Sequence, residues 1–137
     1  MIVGIGVDVV NVPRFAATLH RAGGLLRMHF APEELYDNAG QPRSAASLAA
    51  RYAAKEAASK ALGQPSGLRH ADCQVRSGAA GEPELIATGS VASAARAAGV
   101  TRWHLSMSFE GDVALAMVIA EGARSPDPER PAQAEAT

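Results

Sequence analysis

Glu56 stands among three cations, Arg51, Lys55 and Lys60, in the stretch 51–63, RYAAKEAASKALG. An acid so placed can pair with its neighbours along a solvated helix face. It can also sit where a ligand approaches. Ala53, Ala54, Ala57, Ala58 and Ala61 favour the second use, because small side chains let other backbone or a ligand come close. Asp8 is the second carboxylate of interest. It is the only charge in the first 13 residues and closes an apolar run. Such a residue can end a strand or join a surface ion pair, and it is also how many phosphate-handling sites present a metal ligand. Ser106 and Ser108 lack the context of a nucleophile elbow, which argues against serine hydrolysis. The histidines show no zinc spacing.

On a helix, Tyr52, Glu56, Lys60 and Gly63 share one stripe, with Arg51, Lys55 and Ser59 on the stripe beside it. The segment is rich in strong helix formers, without Pro or β-branched residues. Ser44 or Ser47 can cap a helix that reaches Leu62, roughly 28 Å long, with Gly63 as its C-terminal stop. Upstream, residues 1–10 (MIVGIGVDVV) alternate Val3, Ile5 and Val7 with Gly4, Gly6 and Asp8, which is strand periodicity. Glycines there mark a close approach of backbone or ligand. Asn11 and Pro13 predict a helix start, and Gly23-Gly24 its end near Ala22. A second helical start is expected at residues 32–36 and a polar loop at 38–43. Short strands at 72–75 and 83–87 flank a turn. An Ala-rich helix at 89–99 then leads to a hairpin of strands 103–109 and 113–120. The order predicts an α+β fold, a small antiparallel sheet packed with one long central helix and shorter helices.

The length, 137 residues, suits one domain with a real core. That domain is expected over 1–121, with 122–137, rich in Pro, Ala and charge, as a disordered tail. The net charge of −1 argues against a general nucleic-acid binder. Locally the balance differs. Between Val9 and Pro32 there is no Asp or Glu, yet Arg14, Arg21 and Arg27 occur with His20 and His29, a patch suited to an acidic partner. Cys73 is the only cysteine, so no disulfide within the chain forms and a reducing compartment is expected. No run spans a bilayer and the N-terminus lacks signal-peptide features, which predicts a cytoplasmic protein without a membrane partner.

Three segments in this order, GIGVDVV with Arg14 downstream, RYAAKEAASKALG, and WHLSMSFEGDVALAMVIAE, resemble the holo-[acyl-carrier-protein] synthases, the small 4′-phosphopantetheinyl transferases. The resemblance implies transfer of 4′-phosphopantetheine from coenzyme A to a serine of apo acyl carrier protein, releasing 3′,5′-ADP, in fatty-acid or polyketide synthesis. It matches Asp8 and Glu56 to ligands of Mg²⁺ and Lys60 to a lysine near the transferred phosphate. Arg51 and His104 match residues near the coenzyme nucleotide and its 3′-phosphate. Lys55, Gly63 and Ser106 are expected beside the same coenzyme. Arg14 matches a residue that docks the carrier protein, with Arg21 and Arg27 extending that patch. A homotrimer with coenzyme clefts between subunits is implied.

The likeness departs at one place. Phe109 stands where relatives carry a second histidine of the penultimate strand, a candidate base. Glu110, Glu56 or a metal-bound water could take the serine proton instead. Two other readings stay open: a non-catalytic module that binds coenzyme A or carrier protein, and a Mg²⁺-dependent hydrolase of a nucleotide pyrophosphate.

Overall fold

The computed structural model describes residues 1–123. The expected tail lies, from residue 124 onward, outside them. Strand β1 (Ile2–Asn11) leads into helix α1 (Val12–Arg27). A 3₁₀ turn at Pro32–Leu35 precedes the long helix α2 (Ala45–Ala61), and strands β2 (Cys73–Ser77) and β3 (Pro83–Ala87) follow. Helix α3 (Gly89–Ala98) and strands β4 (Val100–Glu110) and β5 (Val113–Gly122) complete the described residues. β1, β5 and β4 form one antiparallel sheet in that order, and β2 with β3 a second. The α+β expectation holds, with two small sheets in place of one.

Local signals account for most boundaries. Asn11 accepts from the Arg14 amide and caps α1, and Ser44 accepts from the Ser47 amide and caps α2. Gly63, at φ +79°, takes the left-handed position just past α2. Among the boundaries that differ from expectation, two have a visible cause. Gly23-Gly24 does not end α1: the helix kinks at Ala22 (φ −136°, ψ 39°) and resumes, so that Leu26 packs beside Phe15 and Phe30. Gly122 belongs to β5, bonded to both backbone groups of Met1, so the last strand takes in the first residue of the expected tail.

α2 lies across one face of the three-stranded sheet. Ala53, Ala54, Ala57, Ala58 and Ala61 are buried there against Ala116, Val118 and Ala120 of β5. Gly4 and Gly6 let β1 approach closely: a Cβ at either would strike the backbone carbonyl of Ala61 or Ala57. Neither neighbour is a flexible side-chain tip, so the clash relaxes only by moving helix from sheet. Gly6→Ala is therefore expected to cost about 3 kcal/mol, at the upper end for overpacking. Urea unfolding checks this; a loss under about 0.5 kcal/mol would show that the helix yields.

Strand alternation sorts β1 and β4 by face. Gly4, Gly6 and Asp8 face α2. Asp8 lies opposite Ala116, which lies opposite Met107, so these three share the inner face. Ile5, Val7 and Val9 point away, in rows with Ile119, Met117 and Leu115, and then with His104, Ser106 and Ser108.

Candidate active site

β1 and α2 bring the two carboxylates singled out above to one place. Asp8 and Glu56 both line an open cavity of about 360 Å³, with Asn11, Arg14, Thr18 and Tyr52 around it. Asp8 gets there because β1 runs along α2, and Glu56 because its stripe of α2 reaches the edge of that packing. Lys60, one turn further on, donates to the Val7 carbonyl at 3.0 Å and to Asp8 Oδ1 at 3.1 Å. Its ammonium has a third proton to give. The oxygen-only donors, two carboxylates on an open cavity with one lysine to offset them, fit a hard divalent cation that keeps most of its coordination for water and ligand oxygens. No group of three or more His, Cys, Asp or Glu suited to a metal occurs among the described residues, so protein alone would leave the coordination incomplete.

Glu56 is also held from behind. His70 Nε2 lies 3.0 Å from Glu56 Oε1, and His70 Nδ1 lies 2.9 Å from His29 Nδ1. Tyr52 packs edge-on against both imidazoles, with centroids 5.3 Å from His70 and 5.7 Å from His29. Burial lowers the His70 pKa, the Glu56 carboxylate opposes that, and His29 and Lys55 reinforce it. Burial first, then Glu56, pushes the Tyr52 phenol up.

Lys55 leaves the expected coenzyme set. It is 1% exposed and fully committed. Its ammonium donates to Glu34 Oε1 at 2.7 Å, to the His70 carbonyl at 3.0 Å and to the Cys73 carbonyl. The side chain expected beside the coenzyme is turned into the core, where a lysine needs a carboxylate, and Glu34 supplies it. Cys73 is buried nearby, its thiol pushed up to about 12 by burial. It stays protonated at neutral pH and is no nucleophile.

Arg51 is buried as well, with Nη1 on Ser47 Oγ at 2.8 Å. Burial lowers its pKa, and a second cation, Arg43, lowers it further. The Nε atoms of Arg43 and Arg51 are both buried without a hydrogen-bond partner among the described residues. Two neighbouring guanidiniums with unspent donors are arranged for an anion. Arg43 sits in the loop before α2, where only its proximity to the Ser44 cap hinted at a role.

The remaining candidates separate. Gly63 gives its N–H to the Lys60 carbonyl and acts as a cap. Arg14 lines the carboxylate cavity, while Arg21 and Arg27 are exposed further along α1. His104, Ser106 and Glu110 stand on the outer face of the sheet, away from Asp8 and Glu56; His104 Nε2 is 3.7 Å from Glu121. Phe109 is exposed at 53%, at the end of β4. Among the described residues no helix is long and apolar enough to cross a membrane.

Known proteins resemble this chain in sequence and in fold. A family model described as the 4′-phosphopantetheinyl transferase superfamily matches residues 4–118. The holo-[acyl-carrier-protein] synthase of Salinispora arenicola is 50% identical over 121 residues, covering 88% of this chain and 99% of that protein. Among solved structures, the Plasmodium yoelii acyl carrier protein synthase with ADP bound superposes with a TM-score of 0.81 at 27% identity, covering 90% of this chain and 98% of the other. An ACPS–CoA complex from Chronobacterium ammoniagenes gives 0.75 at 31% identity, over 88% and 98%. This chain belongs to the 4′-phosphopantetheinyl transferase superfamily, among its holo-[acyl-carrier-protein] synthases.

Proposed function

We propose that the chain transfers 4′-phosphopantetheine from coenzyme A to a serine of an apo acyl carrier protein, in fatty-acid or polyketide synthesis, and releases 3′,5′-ADP. The observation that carries this reading is the meeting of Asp8, Glu56 and Arg14 on one cavity, with Lys60 held against Asp8. Asp8 and Glu56 would hold Mg²⁺, which when bound offsets charge on the pyrophosphate. Lys60 would give its third N–H to a phosphoryl oxygen, where charge grows as the hydroxyl attacks. Arg43 and Arg51 supply the anion seat for the 3′-phosphate, with a neighbouring subunit bringing its own copy of His104 beside it. Arg14, Arg21 and Arg27 receive the acidic carrier protein, an attraction that added salt weakens. Of the candidate bases, Glu56 lies in the cavity, whereas Glu110 lies on the far face of the sheet.

That far face supports a homotrimer with sites between subunits. Ile5 at 58%, Val7 at 49%, Val9 at 56%, Leu115 at 36% and Met117 at 42% exposed make a contiguous apolar patch, uncommon on a monomer. His104, Ser106 and Glu110 border it, so only a neighbouring subunit can bring them to the Asp8–Glu56 cavity. Met117→Glu is expected to give a folded monomer with transfer reduced at least about tenfold, since half of each site is lost. Sedimentation and thermal melting check it; a fully active monomer would remove the shared site.

The direct experiment incubates the protein with coenzyme A, Mg²⁺ and apo acyl carrier protein and reads intact mass. One phosphopantetheine added to a single serine, lost with EDTA, supports the transferase. 3′,5′-ADP formed without carrier protein would identify a hydrolase, and coenzyme binding without product a non-catalytic module.

A further inference from the structure

The last turn of α1 is set apart from the rest of that helix. Helical geometry breaks at Ala22 and resumes through Gly23-Gly24, so residues 23–27 form a short helical piece on a two-glycine joint. Phe30, buried at 4%, fastens the chain just beyond it. Open space lies on two sides of the piece. Leu26 lines the Asp8–Glu56 cavity, and a second cavity of about 410 Å³ runs beside Leu19, His20, Gly23, Gly24 and Arg27. A Cβ on Gly24 would meet nothing, and the one obstacle to a Cβ on Gly23 is the flexible Arg27 side chain. Two adjacent glycines with room beside them can absorb a change of backbone angle at little cost.

The turn has two unlike faces. Inward, half-buried Leu26 packs on the cluster that contains Phe15 and Phe30. Outward, Leu25 at 71% and Met28 at 72% are the most exposed large apolar side chains among the described residues. Arg21 and Arg27 are exposed on the same stretch, which has no acid from Val10 to Ala31. An apolar pair rimmed by cations suits a partner that sets apolar side chains in an acidic surface. The acidic carrier protein of the proposed reaction is such a partner.

We propose that this turn is a flap worked by the docked carrier protein. The carrier seats on Leu25, Met28 and Arg27, the piece swings on Gly23-Gly24, and Leu26 moves into the carboxylate cavity and displaces water. Water and the carrier serine compete for the same β-phosphorus. Either oxygen bonds to it as the bond to the 3′,5′-ADP oxygen breaks, and attack by water yields free 4′-phosphopantetheine. Closure tied to docking holds water off until the serine has arrived. Leu26 is a positioning residue in this scheme, and the scheme rests on the transferase reading.

The test incubates the full chain with coenzyme A, Mg²⁺ and apo carrier protein, and measures holo carrier and free 4′-phosphopantetheine by mass. Leu26→Ala should leave the carrier KM unchanged, lower kcat about tenfold, and raise the ratio of free to transferred phosphopantetheine by a similar factor. Leu26→Met, close in volume, should restore most of both. Met28→Ser should raise the carrier KM several-fold and leave that ratio at saturating carrier as in the parent. Gly24→Ala stiffens the joint without a clash and should lower kcat about fivefold at unchanged KM; it keeps the test decisive should Leu26→Ala melt early. If Leu26→Ala matches the parent, or raises only KM, Leu26 excludes no water and the flap is wrong. An unchanged KM in Met28→Ser, or an unchanged kcat in Gly24→Ala, overturns it as well. A parent that transfers nothing removes the transferase reading itself, whereas an active parent with any of those results removes the flap alone.

Discussion

Glu56→Gln is expected to lower phosphopantetheine transfer by at least about 10³-fold while leaving the fold intact. The substitution is nearly isosteric and keeps the side chain beside His70, so the packing of α2 hardly changes. What it removes is a formal charge facing a cavity that holds only one other carboxylate, Asp8. A single carboxylate holds a divalent cation poorly, and the chemistry such a cation supplies is worth several kcal/mol, each 1.36 kcal/mol being tenfold in rate. Because the loss is chiefly one of metal occupancy, raising Mg²⁺ should restore part of the rate. The assay is carrier-protein mass against time at several Mg²⁺ concentrations, with thermal melting as the folding control. Full activity at ordinary Mg²⁺ would remove the metal assignment.

Lys55→Ala should produce the largest loss of stability among the charged residues, about 3–5 kcal/mol, the range for breaking a buried ion pair. It strips one proton donor each from Glu34, the His70 carbonyl and the Cys73 carbonyl. Glu34 keeps two amides, those of Ala31 at 2.9 Å and Val75 at 3.1 Å, but not its countercharge. The uncompensated carboxylate therefore carries most of the cost. Lys55→Met paired with Glu34→Gln should recover much of it, since the double variant removes the stranded charge and keeps the aliphatic stem. Urea unfolding of the two variants separates charge from packing. A loss under about 1 kcal/mol in Lys55→Ala would mean that Glu34 finds water.

Much of this molecule can be read from its sequence because its signals are local. The alternation in β1, the Ser44 cap and the turn between β4 and β5 each lie within a few residues, and all appear where expected. Asp8, Glu56 and Lys60 were legible too, since helical spacing puts Glu56 and Lys60 on one stripe and a strand end presents Asp8. The failures share a cause: burial decided at long range. Lys55 looks like Lys60 in sequence, yet Lys60 reaches Asp8 at the surface while Lys55 meets buried Glu34, whose place after Pro32 reads only as the start of a helical turn. His29 and His70 lie 41 residues apart, and nothing near either announces the other. Gly23-Gly24 reads as a stop, but an apolar residue beyond it, Leu26, has a core to reach. Arg43 reads as loop because its neighbour in charge, Arg51, is identified only in the folded chain, where both Nε atoms are buried.

The two faces of the sheet carry a genetic consequence. Under the proposed trimer, Asp8 and His104 at any one site come from different chains, because they stand on opposite sides of the same three strands. A damaged allele would then spoil junctions instead of whole molecules. A cell expressing two defective alleles equally, one lacking Asp8 and the other lacking His104, would assemble about one junction in four from two sound halves. Two lesions, each abolishing transfer alone, would restore part of it together.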